Sequence, residues 1–154
     1  MTSQPTPDPS PLIPYACCAD AAAAIEFYVD VFDAVQVQRW TAPDGRIGHA
    51  ELLLAGQRFF LADEHPELGV LGPHSLGGTA VSFVLTVPDV DATVARAVRA
   101  GATVERPVAL QDHGARAGWI VDPSGHRWNV QTDVERVPAD DLRERVGDAY
   151  GITT

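Results

Sequence analysis

The chain has 154 residues, 45% of them hydrophobic, with 11 cationic and 21 anionic side chains and a net charge of −10 at pH 7. Such a length supports one domain with its own core, and all 11 cations are arginine, which excludes Schiff-base and pyridoxal chemistry that needs a lysine amine. The acidic balance is also a poor match for nucleic-acid phosphates or anionic lipid. Residues 1–10, rich in Pro, Ser and Thr, read as a disordered arm. No run approaches the roughly 20 apolar residues of a membrane span, and the N-terminus lacks a signal-peptide pattern, so a soluble cytoplasmic protein is expected. Cys17 and Cys18 are adjacent, point to opposite faces of a strand and are poorly placed to pair with each other.

The first module covers 11–64. Residues 11–18 read as a strand, and Asp20 caps a helix from Ala21 to Phe32 whose apolar stripe is Ile25, Tyr28, Val29 and Phe32. Strands at 34–40, 46–54 and 57–64 follow, joined by the turn 42–45 and the two-residue turn Ala55-Gly56. A Gly/Pro-rich loop spans 65–78. The second module, 79–132, repeats the order: a strand over 79–87, a helix capped by Asp89 and ended by Gly101, then strands at 102–110, 115–121 and 126–132. The tail, 133–154, holds a short helix over 139–148. Asp20 aligns with Asp89 and Leu54 with Val121, at offsets of 69 and 67, which reads as a duplicated βαβββ unit in an α+β fold.

The strings IPYACCADAAAAIEFYVDVFDA (13–34), HAELLLAGQRFFLADE (49–64) and GARAGWIVDPSGHRWNVQT (114–132) resemble the PhnB-like branch of the vicinal oxygen chelate superfamily, which includes glyoxalase I, extradiol dioxygenases, fosfomycin resistance enzymes and bleomycin-binding proteins. The resemblance implies two tandem βαβββ modules curling a mixed sheet into a cup, and a homodimer with the cup or its rim at the interface. It places the superfamily's four metal-ligand positions at Ile13, Ala62, Ser82 and Asn129. None is an imidazole or carboxylate, so no metal and no other cofactor is expected.

Alternation along the strands turns Tyr15, Cys17, His49, Glu51, Phe60, Ala62, Ser82, Arg127, Asn129 and Gln131 toward the cup. The repeat register sets Arg116 opposite His49, also inward, and sends Trp119 and Trp128 toward the helices. Trp40 is a pocket wall or a dimer contact. His49 and Glu51, two apart on one face, suit proton transfer or a displaced metal site, or are a solvated strand pair. Arg116 suits a carboxylate or phosphonate, or is a strand-edge charge. His113 reads as a loop residue and His126 as structural.

Three functions fit. The first is a binding protein whose cup, formed of both modules, takes a small organic ligand through Tyr15, Phe60, Ser82, Arg116, Arg127, Asn129 and Gln131, with the −10 charge favouring a cationic, antibiotic-like one. The second is a lyase or isomerase using His49 and Glu51. The third is an interaction module whose cup is filled by its own side chains.

Overall fold

The computed structural model describes residues 11–153, so the arm expected over 1–10 lies outside the described residues. Strand β1 (Tyr15–Cys18) leads into helix α1 (Ala21–Phe32) and strands β2 (Val35–Thr41), β3 (Ile47–Leu54) and β4 (Gln57–Asp63). A loop with a 3-10 turn at Pro66–Leu68 and a short α-helix, α2 (Pro73–Leu76), precedes the repeat: β5 (Ser82–Thr86), α3 (Val90–Arg99), β6 (Thr103–Leu110), β7 (Ala115–Val121) and β8 (Arg127–Asp133). Helix α4 (Ala139–Val146) follows. The strands form two four-stranded mixed sheets, ordered β1-β4-β3-β2 and β5-β8-β7-β6, with β1–β4 and β5–β8 parallel and the other pairs antiparallel. This is the expected α+β architecture of two similar modules.

Local chemistry sets the boundaries. Asp20 and Asp89, both extended, accept from the backbone N–H of Ala23 and Ala92 at 3.0 Å and start the two helices. Asp33 ends α1 in the left-handed region, where a short polar side chain is tolerated, and Ala55-Gly56 takes positive φ at both residues, as a two-residue hairpin turn requires. Strand β1 begins at Tyr15, later than expected from residue 11, since Pro11 and Pro14 have no N–H to give a ladder. Strand β5 begins at Ser82 because Thr79 folds back on Val81 through its hydroxyl. Helix α4 stops at Val146, where Gly147 departs from helical backbone.

Each sheet turns one face to the helices. Ala16, Cys18, Ala50, Leu52, Leu54, Phe59 and Leu61 of the first sheet are buried there, as are Leu85, Ile120, Trp128 and Val130 of the second. The two helix-facing sides form a single core. Phe59 packs on Phe83 and Trp128 at centroid distances of 5.2 and 5.8 Å, and Tyr28 of α1 packs on Trp128 at 5.4 Å. Asp122, at the β7–β8 turn, accepts from Tyr28 Oη at 2.6 Å and Trp128 Nε1 at 2.9 Å. His126 is buried beside it, with Nε2 2.9 Å from the carbonyl of Cys17, the structural role expected of it.

With both helix sides spent on one core, the opposite face of each sheet lies outside it.

Candidate functional site

On the outward face of the first sheet, the register sets Tyr15 beside Phe60, Phe60 beside Glu51, Glu51 beside Gln38 and His49 beside Trp40. The rings make one aromatic cluster: Tyr15–Phe60 5.6 Å, His49–Phe60 4.7 Å and Trp40–His49 5.0 Å between centroids. Tyr15 Oη lies 3.0 Å from His49 Nδ1. Burial, and then the thiol of Cys17, raise the Tyr15 phenol above its ordinary pKa, so the phenol keeps its proton at neutral pH. Next to this cluster lies a hollow of about 450 Å³ with Tyr15, Cys17, Gly48 and Ala62 on the sheet side and His65, Leu68 and Val70 from the following loop on the other. That volume suits a small organic molecule. The loop is held where Gly72 N–H donates to Glu64 at 2.7 Å, and a Cβ at Gly72 would meet the Cys17 carbonyl at 2.9 Å.

Glu51 is 3% exposed, and its carboxylate accepts from Arg58 at 2.8 and 3.3 Å and from Gln38 at 3.1 Å. These partners, Arg58 foremost, hold its pKa below the ordinary value of 4.5 against the opposing effect of burial. The imidazole of His49 is hydrogen-bonded with Tyr15, and its charge is the last of the effects that lower the Glu51 pKa. Since the folded-state pKa is the lower one, Glu51 contributes stability that is fully present above about pH 4.5 and is lost as pH falls through the folded value. The stability difference between the wild type and Glu51→Gln, measured by urea unfolding, is expected to shrink as pH drops from 6 to about 3; a difference that grows would refute the ion pair.

The outward face of the second sheet carries Ser82, Val84 and Thr86 of β5 beside Arg127, Asn129 and Gln131 of β8. Arg127 is clamped: two nitrogens donate to Glu105 at 2.6–3.1 Å, another donates to Ser82 at 3.1 Å, and its guanidinium stacks on Trp119 at 4.8 Å. Arg106 lies over the same indole at 5.6 Å. The Asn129 side-chain oxygen is buried without a hydrogen-bond partner.

Two expectations are corrected here. Arg116 does not face the pocket: it pairs in register with Thr132, on the helix side, and binds Asp91 of α3 at 2.7 and 2.9 Å. Trp119 faces outward beside Asn129, not toward the helices. The cause is one residue of register. Glu51 sits beside Phe60 as Trp119 sits beside Asn129, so β3 and β7 correspond at an offset of 68 rather than 67, and a slip of one flips every side chain to the other face.

Sequence reasoning also passed over Gln38, Arg58, Glu105 and Arg106. Arg58 shares the parity of Phe60 and was legible from alternation; Glu105 lies at a bulge in β6, where alternation fails. His113 is exposed in its loop. His65 Nδ1 lies 2.9 Å from the Asp63 carbonyl and His74 Nε2 2.7 Å from that of Pro123.

The four positions that the resemblance offers for a metal carry no donor set suited to a divalent ion. Ala62 offers no donor, Ile13 none, Ser82 is engaged by Arg127, and the one acceptor oxygen at Asn129 is a neutral amide. Among the described residues no three His, Cys, Asp or Glu side chains converge into an alternative set, and none of the helices is long and apolar enough to cross a membrane.

Residues 14–130 match the Glyoxalase/Bleomycin resistance protein/Dioxygenase superfamily. An uncharacterized protein of Mycobacterium bovis is 43% identical over 135 residues, covering 86% of this chain and 89% of its own length. TioX from Micromonospora sp. ML1 superposes with a TM-score of 0.63 at 25% identity, over 82% of this chain and all of that one. A PhnB protein from Bacillus cereus shares the fold with a TM-score of 0.63 at 20% identity, over 80% of this chain and 99% of its own. Fold, module repeat and sequence agree, and the chain belongs to the glyoxalase/bleomycin resistance protein/dioxygenase superfamily.

Proposed function

We propose that this protein binds a small organic ligand between the aromatic face of the first module of one chain and the arginine–tryptophan face of the second module of another, in a homodimer. One observation carries this reading: both ring-bearing faces point outward from a shared core, with Tyr15 57%, Trp40 62% and Val84 64% exposed. Either face alone covers a ligand on one side, whereas binding sites enclose most of the ligand surface. A second copy related by two-fold symmetry turns its second face to the first face of its partner and the reverse, which closes two equivalent pockets. Proteins of this superfamily bind small molecules and often form dimers.

The test is the mass in solution. Light scattering at micromolar concentration is expected to give twice the chain mass; a monomer under those conditions overturns the two-chain pocket.

A further inference from the structure

We propose that the ligand is a planar aromatic anion whose carboxylate is held by Arg106, an inference that rests on the two-chain pocket above. The net charge of −10 suggested a cationic ligand, but that charge is not spread evenly. Around the rings of the two outward faces stand Glu51, Arg58, Glu105, Arg106 and Arg127, and Glu64, just past β4 beside Cys17, accepts from the Gly72 N–H, so three cations meet three anions. Asp133 lies apart, at the far end of β8.

The pairing within this set decides which charge is left for a ligand. Arg58 is tied to Glu51 and Arg127 to Glu105. The arginine contacts hold both glutamates ionised, Glu105 through Arg127 first and through the charge of Arg106 last. Neither acid is then free to receive a cation. Arg106 has no carboxylate within ion-pair distance among the described residues, and it lies over the indole of Trp119. An indole face orients a guanidinium without neutralising it, and leaves its N–H edge for a bidentate carboxylate.

The opposite wall sets the rest of the ligand. Tyr15, Trp40, His49 and Phe60 present ring surface with little charge, since Arg58 over Phe60, at 4.9 Å, is already neutralised by Glu51. Flat apolar area stacks there, while the anionic group reaches Arg106 across the pocket.

Three probes of one shape test this: 2-naphthoate, the neutral 2-naphthalenemethanol and the cationic 2-naphthylmethylammonium, each titrated against the wild-type protein by tryptophan fluorescence. The expected order is naphthoate first, by about tenfold over the alcohol, then the alcohol, then the ammonium. In Arg106→Gln the naphthoate-to-alcohol ratio is expected to fall to about one, and in Glu105→Gln, which frees Arg127 as a second cation, to rise. Alcohol and naphthoate binding equally well to the wild type, or the ammonium binding best, overturns this inference and leaves the pocket standing. Failure of all three probes to bind overturns both.

Discussion

Replacing Asp122 with alanine is expected to destabilise the protein by about 3–5 kcal/mol, since the substitution strands several buried donors at once. Asp122 is 3% exposed and its carboxylate accepts four hydrogen bonds: from Tyr28 Oη at 2.6 Å, Trp128 Nε1 at 2.9 Å, and the backbone N–H groups of Ser124 and His126 at 2.8 and 3.1 Å. Tyr28 is fully buried on α1, 94 residues away in sequence, so this one side chain joins the first module's helix to the second module's turn. Each of those donors left unpaired costs about 1–3 kcal/mol before relaxation. Asp122→Asn retains one oxygen and should cost roughly half as much. Tyr28→Phe removes a donor and leaves the carboxylate three partners, so about 1 kcal/mol is expected, and the double variant Tyr28→Phe/Asp122→Ala should cost less than the sum. Urea midpoints at unchanged m measure all of these; an Asp122→Ala loss below 1 kcal/mol would show that the turn holds without its carboxylate.

The turn around Asp122 also shows where the sequence was legible and where it was not. The Pro and Gly of DPSG (122–125) are turn residues, and Asp20 and Asp89 mark both helix starts, because capping and turn chemistry are local and fixed by residue type. Strand parity was readable where one parity alone is apolar, as in Trp128 and Val130 against Arg127, Asn129 and Gln131. In ARAGWIV (115–121) both parities are apolar, so the pattern could not place Trp119, and equating Leu54 with Val121 rather than Asp122 sent it and Arg116 to the wrong faces. The buried Asp122 occupies the place that Leu54 holds in the first module, a substitution of acid for leucine that hides the correspondence. What covers each outward face was beyond reach for a different reason: alternation reports which side of a strand is buried, and one shared core or one shared cup buries the same parity.

That ambiguity is what a mixing experiment resolves. Take a first-face variant, Tyr15→Ala/Trp40→Ala, and a second-face variant, Trp119→Ala, both altered at side chains outside the main core. Each alone should bind 2-naphthoate, or the neutral alcohol if that is the tighter probe, at least about tenfold more weakly than the wild type, from the loss of ring contacts. Unfolded and refolded together in equal amounts, half of the dimers are mixed. If each pocket takes its first face from one chain and its second from the other, one pocket of every mixed dimer carries both substitutions and its counterpart carries none. About a quarter of all pockets then regain wild-type affinity, readable as a tight-binding fraction in equilibrium dialysis. If a pocket used both faces of one chain, every pocket in every dimer would carry a substitution and no tight fraction would appear. The outcome is a count of sites and not a change in strength, so it does not depend on how much affinity each ring supplies, and the absence of that fraction would reject the exchange of faces between chains even if the protein proved to be a dimer.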